Sequence, residues 1–203
     1  MAHVALIGAS GQAGSRILKE LSDRNHRVTA IARHPEKIAA LPHVTAHAGD
    51  VADPVNLARL LAGHDVAISA VTFINTAPQT LIDAVRSAGV PRYLVVGGAG
   101  SLLVAPGQRL MDLPDFPAAY LPEARRGAEF LACLREETAL DWTFLSPSAE
   151  FVAGERTGTF RIGSEYLLSG EKGSLISFED YAVALVDEIE QPAHSRQRFT
   201  VGY

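Results

Sequence analysis

His3–Leu18 reads HVALIGASGQAGSRIL, a short apolar run followed by glycines at Gly8, Gly11 and Gly14 and then by residues with helical spacing. A strand running straight into G-x-x-G-x-x-G and a helix has a physical purpose. Gly8 lets the chain turn tightly off the strand, Gly11 clears a side chain from the path of a pyrophosphate, and Gly14 lets the helix pack closely on the sheet. The free N–H groups and the helix dipole then favour phosphate. A glycine-rich turn that binds nothing is the plainer alternative. What favours dinucleotide binding is the context, because this segment opens a long alternation of strands and helices.

The alternation runs the length of the chain. Strands are expected at His3–Ile7, Arg27–Ala32, Val44–Ala48, Asp65–Ala70, Arg92–Val96 and Trp142–Leu145, with a last one at Arg196–Val201. Helices are expected at Gln12–Asp23, Pro54–Leu61, Thr76–Ala88 and Pro122–Thr138, with a short one at most over Pro35–Leu41. Ser177-Phe178-Glu179-Asp180 resembles a capping box that opens a final helix to about Ile189. Short apolar strands alternating with helices predict an α/β fold of Rossmann type. The sheet is doubly wound and mainly parallel, with helices on both faces. One domain spans 1–203, with 148–176 and 190–203 expected to form a small C-terminal substrate-side region. Two long segments, Gly97–Ala119 and Ser148–Ser174, leave the carboxyl ends of strands, where open α/β sheets bind ligands.

Composition excludes several classes. The 203 residues are 47% hydrophobic and 20% charged, with a formal net charge of -5, which suits a folded domain and disfavours nucleic-acid partners. No apolar run is of membrane-spanning length, the first apolar run is already a strand rather than a leader, and Cys133 is the only cysteine. Those features read as a cytoplasmic protein, a monomer or homodimer, with Cys133 a small core residue. The seven histidines show no metal-ligand spacing, so no metal site is expected. Neither a G-x-S-x-G elbow nor a P-loop is present.

The end of the second strand discriminates between cofactors. An NAD site usually carries an acidic residue about 20 positions beyond the glycines, to hold the ribose hydroxyls. RVTAIARHPEK instead puts Arg33 there, with no acid before Glu36. A guanidinium suits a 2′-phosphate, and Ser10 and Lys37 are placed to assist, so NADP(H) is preferred over NAD(H). A solvated loop arginine is the alternative.

GASGQAG at Gly8–Gly14, ARHP at Ala32–Pro35, GDV at Gly49–Val51, VVGGAGS at Val95–Ser101 and DWTFLSP at Asp141–Pro147 together resemble the atypical short-chain dehydrogenase/reductases. The nearest group is the bacterial NADH-flavin reductase-like family, beside the NmrA-like and biliverdin reductase B-like proteins. The likeness extends through GERTG at Gly154–Gly158 to the closing RQRFTVGY. It implies further contacts to the cofactor. Gln12 and Ala13 belong to the phosphate loop, and Asp50 and Val51 would contact adenine. Ala70, Val71 and Thr72 would line the riboses, and Gly97, Gly98 and Pro147 the nicotinamide. The plainer alternatives are that Asp50 caps the next helix and that Gly97-Gly98 is only a turn.

The catalytic pattern departs from that family. Members with the full reductase site carry Ser, Tyr and Lys, the last two as Y-x-x-x-K. Here Tyr120 is followed four positions later by Ala124. Ser101 is offset from the usual serine, and Arg125 lies one position past the missing lysine, where it could hold ribose but not donate a proton. Ser101, Tyr120 and Arg125 are the candidate catalytic residues, with Tyr120 expected mainly as pocket wall. Reducing an isolated carbonyl leaves a basic alkoxide that needs a placed acid. A flavin (FMN, for example) or a quinone spreads the charge over a conjugated ring and can take its proton from water. The expected activity is therefore hydride transfer from NAD(P)H to such an acceptor, under an apolar cover of Leu102, Leu103, Met111, Phe116 and Phe151. The alternative is a non-catalytic NAD(P)-binding redox sensor of NmrA type. A sugar-nucleotide epimerase is weaker, since those enzymes need the tyrosine–lysine pair.

Overall fold

The computed structural model describes all 203 residues. Along the first strand, β1 (His3–Ile7), Val4 and Leu6 face one core while Ala5 and Ile7 face another, so both sides of the sheet are buried. The chain continues through α1 (Gln12–Asp23), β2 (Arg27–Ala32), β3 (Val44–Ala48), α2 (Pro54–Leu61), β4 (Val66–Ser69), α3 (Pro78–Ser87) and β5 (Arg92–Val96). After a small hairpin of β6 (Leu103–Ala105) and β7 (Gln108–Arg109) come α4 (Leu121–Glu136) and β8 (Asp141–Ser146). The remainder is β9 (Glu150–Val152), β10 (Arg161–Gly163), β11 (Leu175–Ser177), α5 (Phe178–Glu190) and β12 (Gln197–Gly202).

Eight strands form the main sheet in the order β10-β12-β8-β5-β4-β1-β2-β3, all parallel except the edge strand β10. Helices α1 and α5 cover one face and α2, α3 and α4 the other. The strand order reverses at β1, which lies between β4 and β2, and ligands of such sheets bind at that switch point.

Pro35–Lys37 forms a single 3₁₀ turn, within the short helix expected at most over Pro35–Leu41. Several sequence expectations are corrected. Gly97–Ala119 is no open loop, since it holds the β6–β7 hairpin, turned at Pro106-Gly107 with Gly107 at φ +75°. Of residues 190–203, β12 belongs to the main sheet, pairing with β8 from Gln197 to Thr200. Of 148–176, Ser148–Phe151 face the ligand-binding edge, whereas β10 extends the sheet. Only half of the capping box forms. Ser177 Oγ accepts from Asp180 N at 2.9 Å, but the buried Asp180 carboxylate accepts instead from Thr157 Oγ1, Gly158 N and the Tyr203 hydroxyl.

That substitution explains GERTG. The segment is a strap across α1 and α5. Gly154 N donates to Glu179, which also takes Arg16 of α1, and Arg156 makes a bidentate pair with Glu20 at 2.7 and 2.8 Å. Glu20 is buried and also accepts from Arg24. Burial alone would raise its carboxyl, but hydrogen bonds from Arg156 and Arg24 outweigh that and hold it below its ordinary value. A carboxyl lowered in the folded state stabilises the fold fully above its unfolded value of about 4.3, and that contribution is lost as pH falls through the lower folded value. Glu20→Gln should therefore cost about 2 kcal/mol in denaturant unfolding at neutral pH. The gap from wild type should close in strong acid, where Glu20 is neutral in both states. A gap independent of pH would show that the strap is not held by charge.

Candidate functional site

Gly8 follows β1 with φ +84°, and a Cβ there would meet the Ala70 carbonyl oxygen at 2.2 Å. Gly14 is buried one turn into α1, where a Cβ would meet the Gly8 carbonyl oxygen at 2.1 Å. Both positions therefore require glycine, and together they seat the amino end of α1 against the crevice between β1 and β4. No side chain caps that end, and the N–H groups of Gln12 and Ala13 have no acceptor in the protein. Gly11 has an ordinary φ of -73°, so its lack of a side chain serves access to these donors.

Two cavities meet at this point, sharing Gly11, Ala70, Val71 and Thr72 in their walls. The one toward β2 and β3 has a volume of about 580 Å³ and is lined by Gly8, Ser10, Arg33, Asp50 and Val51, among others. Arg33 is exposed there and makes no ion pair. Glu36, the nearest acid in sequence, pairs with His34 at 3.3 Å instead. Asp50 does not cap α2. Asp53 does, accepting from Asn56 N, while Asp50 Oδ1 closes a turn onto Ala52 N.

The cavity on the other side has a volume of about 760 Å³ and is lined by Gln12, Ala13, Gly97, Gly98 and Pro147, together with Ser101 and Tyr120. One carbonyl ties its back wall together. Leu145 O accepts both Gly97 N at 2.8 Å and the buried Tyr181 hydroxyl at 2.7 Å, fixing the end of β5 against the end of β8. The apolar cover differs from the expected one. Phe116 and Phe151 line the cavity, joined by Phe73, Leu110 and Leu113. Leu102 and Met111 are buried and Leu103 is half-buried, all outside the lining, because the hairpin turns them inward.

The three catalytic candidates are placed differently from one another. Tyr120 is on the cavity wall and 67% exposed. The next residue of that helical face is Ala124, where the missing lysine would stand. The Ala124 methyl lies so near Gly100 that a Cβ on Gly100 would come within 2.5 Å of it. Arg125 is exposed and outside the lining, rotated off the face that carries Glu123, Ala124 and Gly127, so ribose contact from Arg125 is not what this arrangement offers. Ser101 Oγ accepts from Arg198 Nη1 at 2.9 Å, which leaves its proton for another partner. Arg198 is buried and paired with Glu165.

Sequence reading missed Arg198 and Glu123. Glu123 is the third residue of α4, and its carboxylate accepts Phe73 N at 2.7 Å and Ile74 N at 2.8 Å, latching the loop after β4 to α4. An acid in a first helical turn was visible in LPEA, but its target lies about fifty residues away and no spacing rule reaches it.

Taken together, an open trough with free helix N–H groups at its middle and an unpaired arginine at one end fits an extended, phosphate-bearing dinucleotide. The sequence profile of the NAD(P)H-binding family matches residues 8–192. The chain belongs to the NAD(P)H-binding family. It is 42% identical to YwnB of Bacillus subtilis, across 98% of this chain and 97% of that protein. A Streptococcus pneumoniae structure described as a "putative NADH-flavin reductase" is 38% identical, covers 100% of this chain and 99% of that one, and superposes with a TM-score of 0.85. A Veillonella parvula short-chain dehydrogenase/reductase in complex with NADP shares the fold, with 16% identity, coverage of 100% and 95%, and a TM-score of 0.80. Family membership and architecture thus agree with the resemblance carried by the glycine segment. No helix is long and apolar enough to cross a membrane.

The Glu123 latch generates a test. Glu123→Ala removes two charge-assisted hydrogen bonds from a loop that walls both cavities. Amide exchange at Phe73 and Ile74 should accelerate, and NAD(P)H should bind about three- to tenfold more weakly, with a small change in Tm. Unchanged exchange at those two amides would show that the loop does not need the latch.

Proposed function

We propose that this protein is an NADPH-dependent reductase that passes hydride to a flavin, a quinone or a similar planar conjugated acceptor. The observation that carries the reading is the larger cavity. It continues the dinucleotide trough past Gly97 and Pro147, is walled by Phe73, Leu110, Leu113, Phe116 and Phe151, and holds no lysine. Its volume lies in the range that takes drug-sized ligands.

In this reading Ser10 and Arg33 hold the 2′-phosphate, and Asp50 and Val51 border the adenine. The amino end of α1 holds the pyrophosphate, and Ala70, Val71 and Thr72 line the riboses. Gly97, Gly98 and Pro147, braced through Leu145, form the wall for the nicotinamide. When bound, NADPH supplies a hydride. NADPH, the acceptor and one proton give NADP⁺ and the reduced acceptor, two electrons moving with the hydride and the proton coming from water. The chain's residues contribute position more than proton transfer. The aromatic and leucine side chains exclude water from the face of a flat ring. Ser101, held as an acceptor by Arg198, can donate a hydrogen bond to a polar atom on that ring. With Ala124 packed on Gly100, no lysine assists Tyr120, and a conjugated acceptor needs none. The Streptococcus pneumoniae relative's description supports the same reading.

NADPH oxidation with riboflavin, FMN and a series of quinones tests it. Turnover with at least one class is expected. Binding of NADPH with no turnover of any acceptor would contradict the reading and favour a sensor. The cofactor preference has its own test at Arg33. Charge-assisted hydrogen bonds contribute about 1.5–3 kcal/mol, so Arg33→Ala should weaken NADPH roughly ten- to a hundredfold and NADH little. Arg33→Asp should shift preference toward NADH, since a carboxylate repels the phosphate and accepts from ribose hydroxyls. Equal losses for both cofactors would make Arg33 structural.

A further inference from the structure

The larger cavity is one-sided in charge. Its lining contains three carboxylates, Asp115, Glu123 and Glu150, and no lysine, arginine or histidine. Glu123 is occupied by its two backbone donors, but the Asp115 and Glu150 side chains are exposed and make no ion pair or hydrogen bond within the protein. The basic groups nearest in sequence lie outside the lining. Arg198 stands behind Ser101 and is paired with Glu165, which also takes Arg135, and Arg109 is paired with Asp112. Arg125 lies off the cavity, and Arg33 serves the smaller one. The positive poles on the wall are two helix amino ends: that of α1, which the reading above gives to the pyrophosphate, and that of α4, whose first turn carries the Glu123 carboxylate against it.

We propose that the acceptor site selects uncharged or cationic planar rings and rejects phosphorylated ones, so that riboflavin and neutral quinones are taken and FMN is not. This deepens the reductase reading and rests on it for the location of the acceptor. The physical argument is short. FMN and riboflavin share one isoalloxazine ring, so ring stacking and redox chemistry are equal between them. They differ by a phosphate that carries about -1.5 to -2 charges at neutral pH. Protein sites that take such a group offer arginines, lysines or backbone donors. Here the phosphate would meet a wall with two unpaired carboxylates and no basic side chain, a repulsion that salt screens. The chemical step is unchanged by this choice: hydride and two electrons pass to the ring, and water supplies the proton.

The experiment titrates riboflavin and FMN into the NADP⁺-bound protein and follows flavin fluorescence quenching, with NADPH oxidation by each flavin measured in parallel. At low ionic strength riboflavin should bind at least about tenfold tighter than FMN. The ratio should shrink with added salt and in the Asp115→Asn/Glu150→Gln double variant. FMN binding as tightly as riboflavin, failure of both to bind, or a ratio untouched by salt and by the variant would each overturn the proposal. Selective riboflavin binding without NADPH oxidation would leave the charge rule standing and remove the reductase reading instead.

Discussion

Everything at the ligand edge depends on one close passage of backbone. Between Ile7 and Gly14 the chain must clear the Ala70 carbonyl and then bring a helix down onto the Gly8 carbonyl. At both contacts a single Cβ would collide with an oxygen near 2.2 Å or closer. If either glycine gained a side chain, α1 would have to lift from the sheet, and its free N–H groups would move away from the crevice. Because β1 sits where the strand order reverses, that helix end points into the space left by the diverging neighbours on its two sides. The free helix end in the crevice is thus a consequence of packing: the constraint that lets the helix seat is the one that aims its dipole.

From that fixed point the two sides of the trough diverge in chemistry. Toward β2 and β3 the wall is polar and carries Arg33. Toward β5 and β8 it is aromatic and acidic, with rigid backing from Leu145 O and Tyr181. The rigid parts are strand ends in the main sheet. The parts outside the sheet are the loop after β4, held by Glu123, and the segment from the hairpin to α4 that carries Phe116 and Tyr120.

Most of the fold was legible because its signals are local. Strand β1, helix α1, strands β2, β3 and β5 and helix α2 follow from apolar runs, Pro54 at a first turn and the glycine spacing. The places of the glycine loop and Arg33 on the cavity walls were legible for the same reason, each tied to the end of one strand. What escaped was non-local. The Asp180 carboxylate reads as a capping partner in sequence, yet it is claimed by Thr157, Gly158 and Tyr203 from two distant segments. Leu102 and Met111 look like pocket residues until the Pro106-Gly107 turn folds them inward. Arg125 looks adjacent to the missing lysine, but one residue along a helix is a rotation of about 100°, enough to leave the cavity face. Arg198 lies in the last strand and meets Ser101 only because β12 joins the main sheet beside β8.

The central claim is that one dinucleotide spans both cavities, with its nicotinamide end in the aromatic, acidic one. A crystal structure of the protein with NADP⁺ tests this most directly. The account predicts the 2′-phosphate on Arg33, the pyrophosphate over the N–H groups of Gln12 and Ala13, and the nicotinamide between Gly97 and Pro147 with open space beyond it toward Phe116 and Phe151. A cofactor running the other way, or a nicotinamide lying outside the Gly97–Pro147 wall, would contradict it.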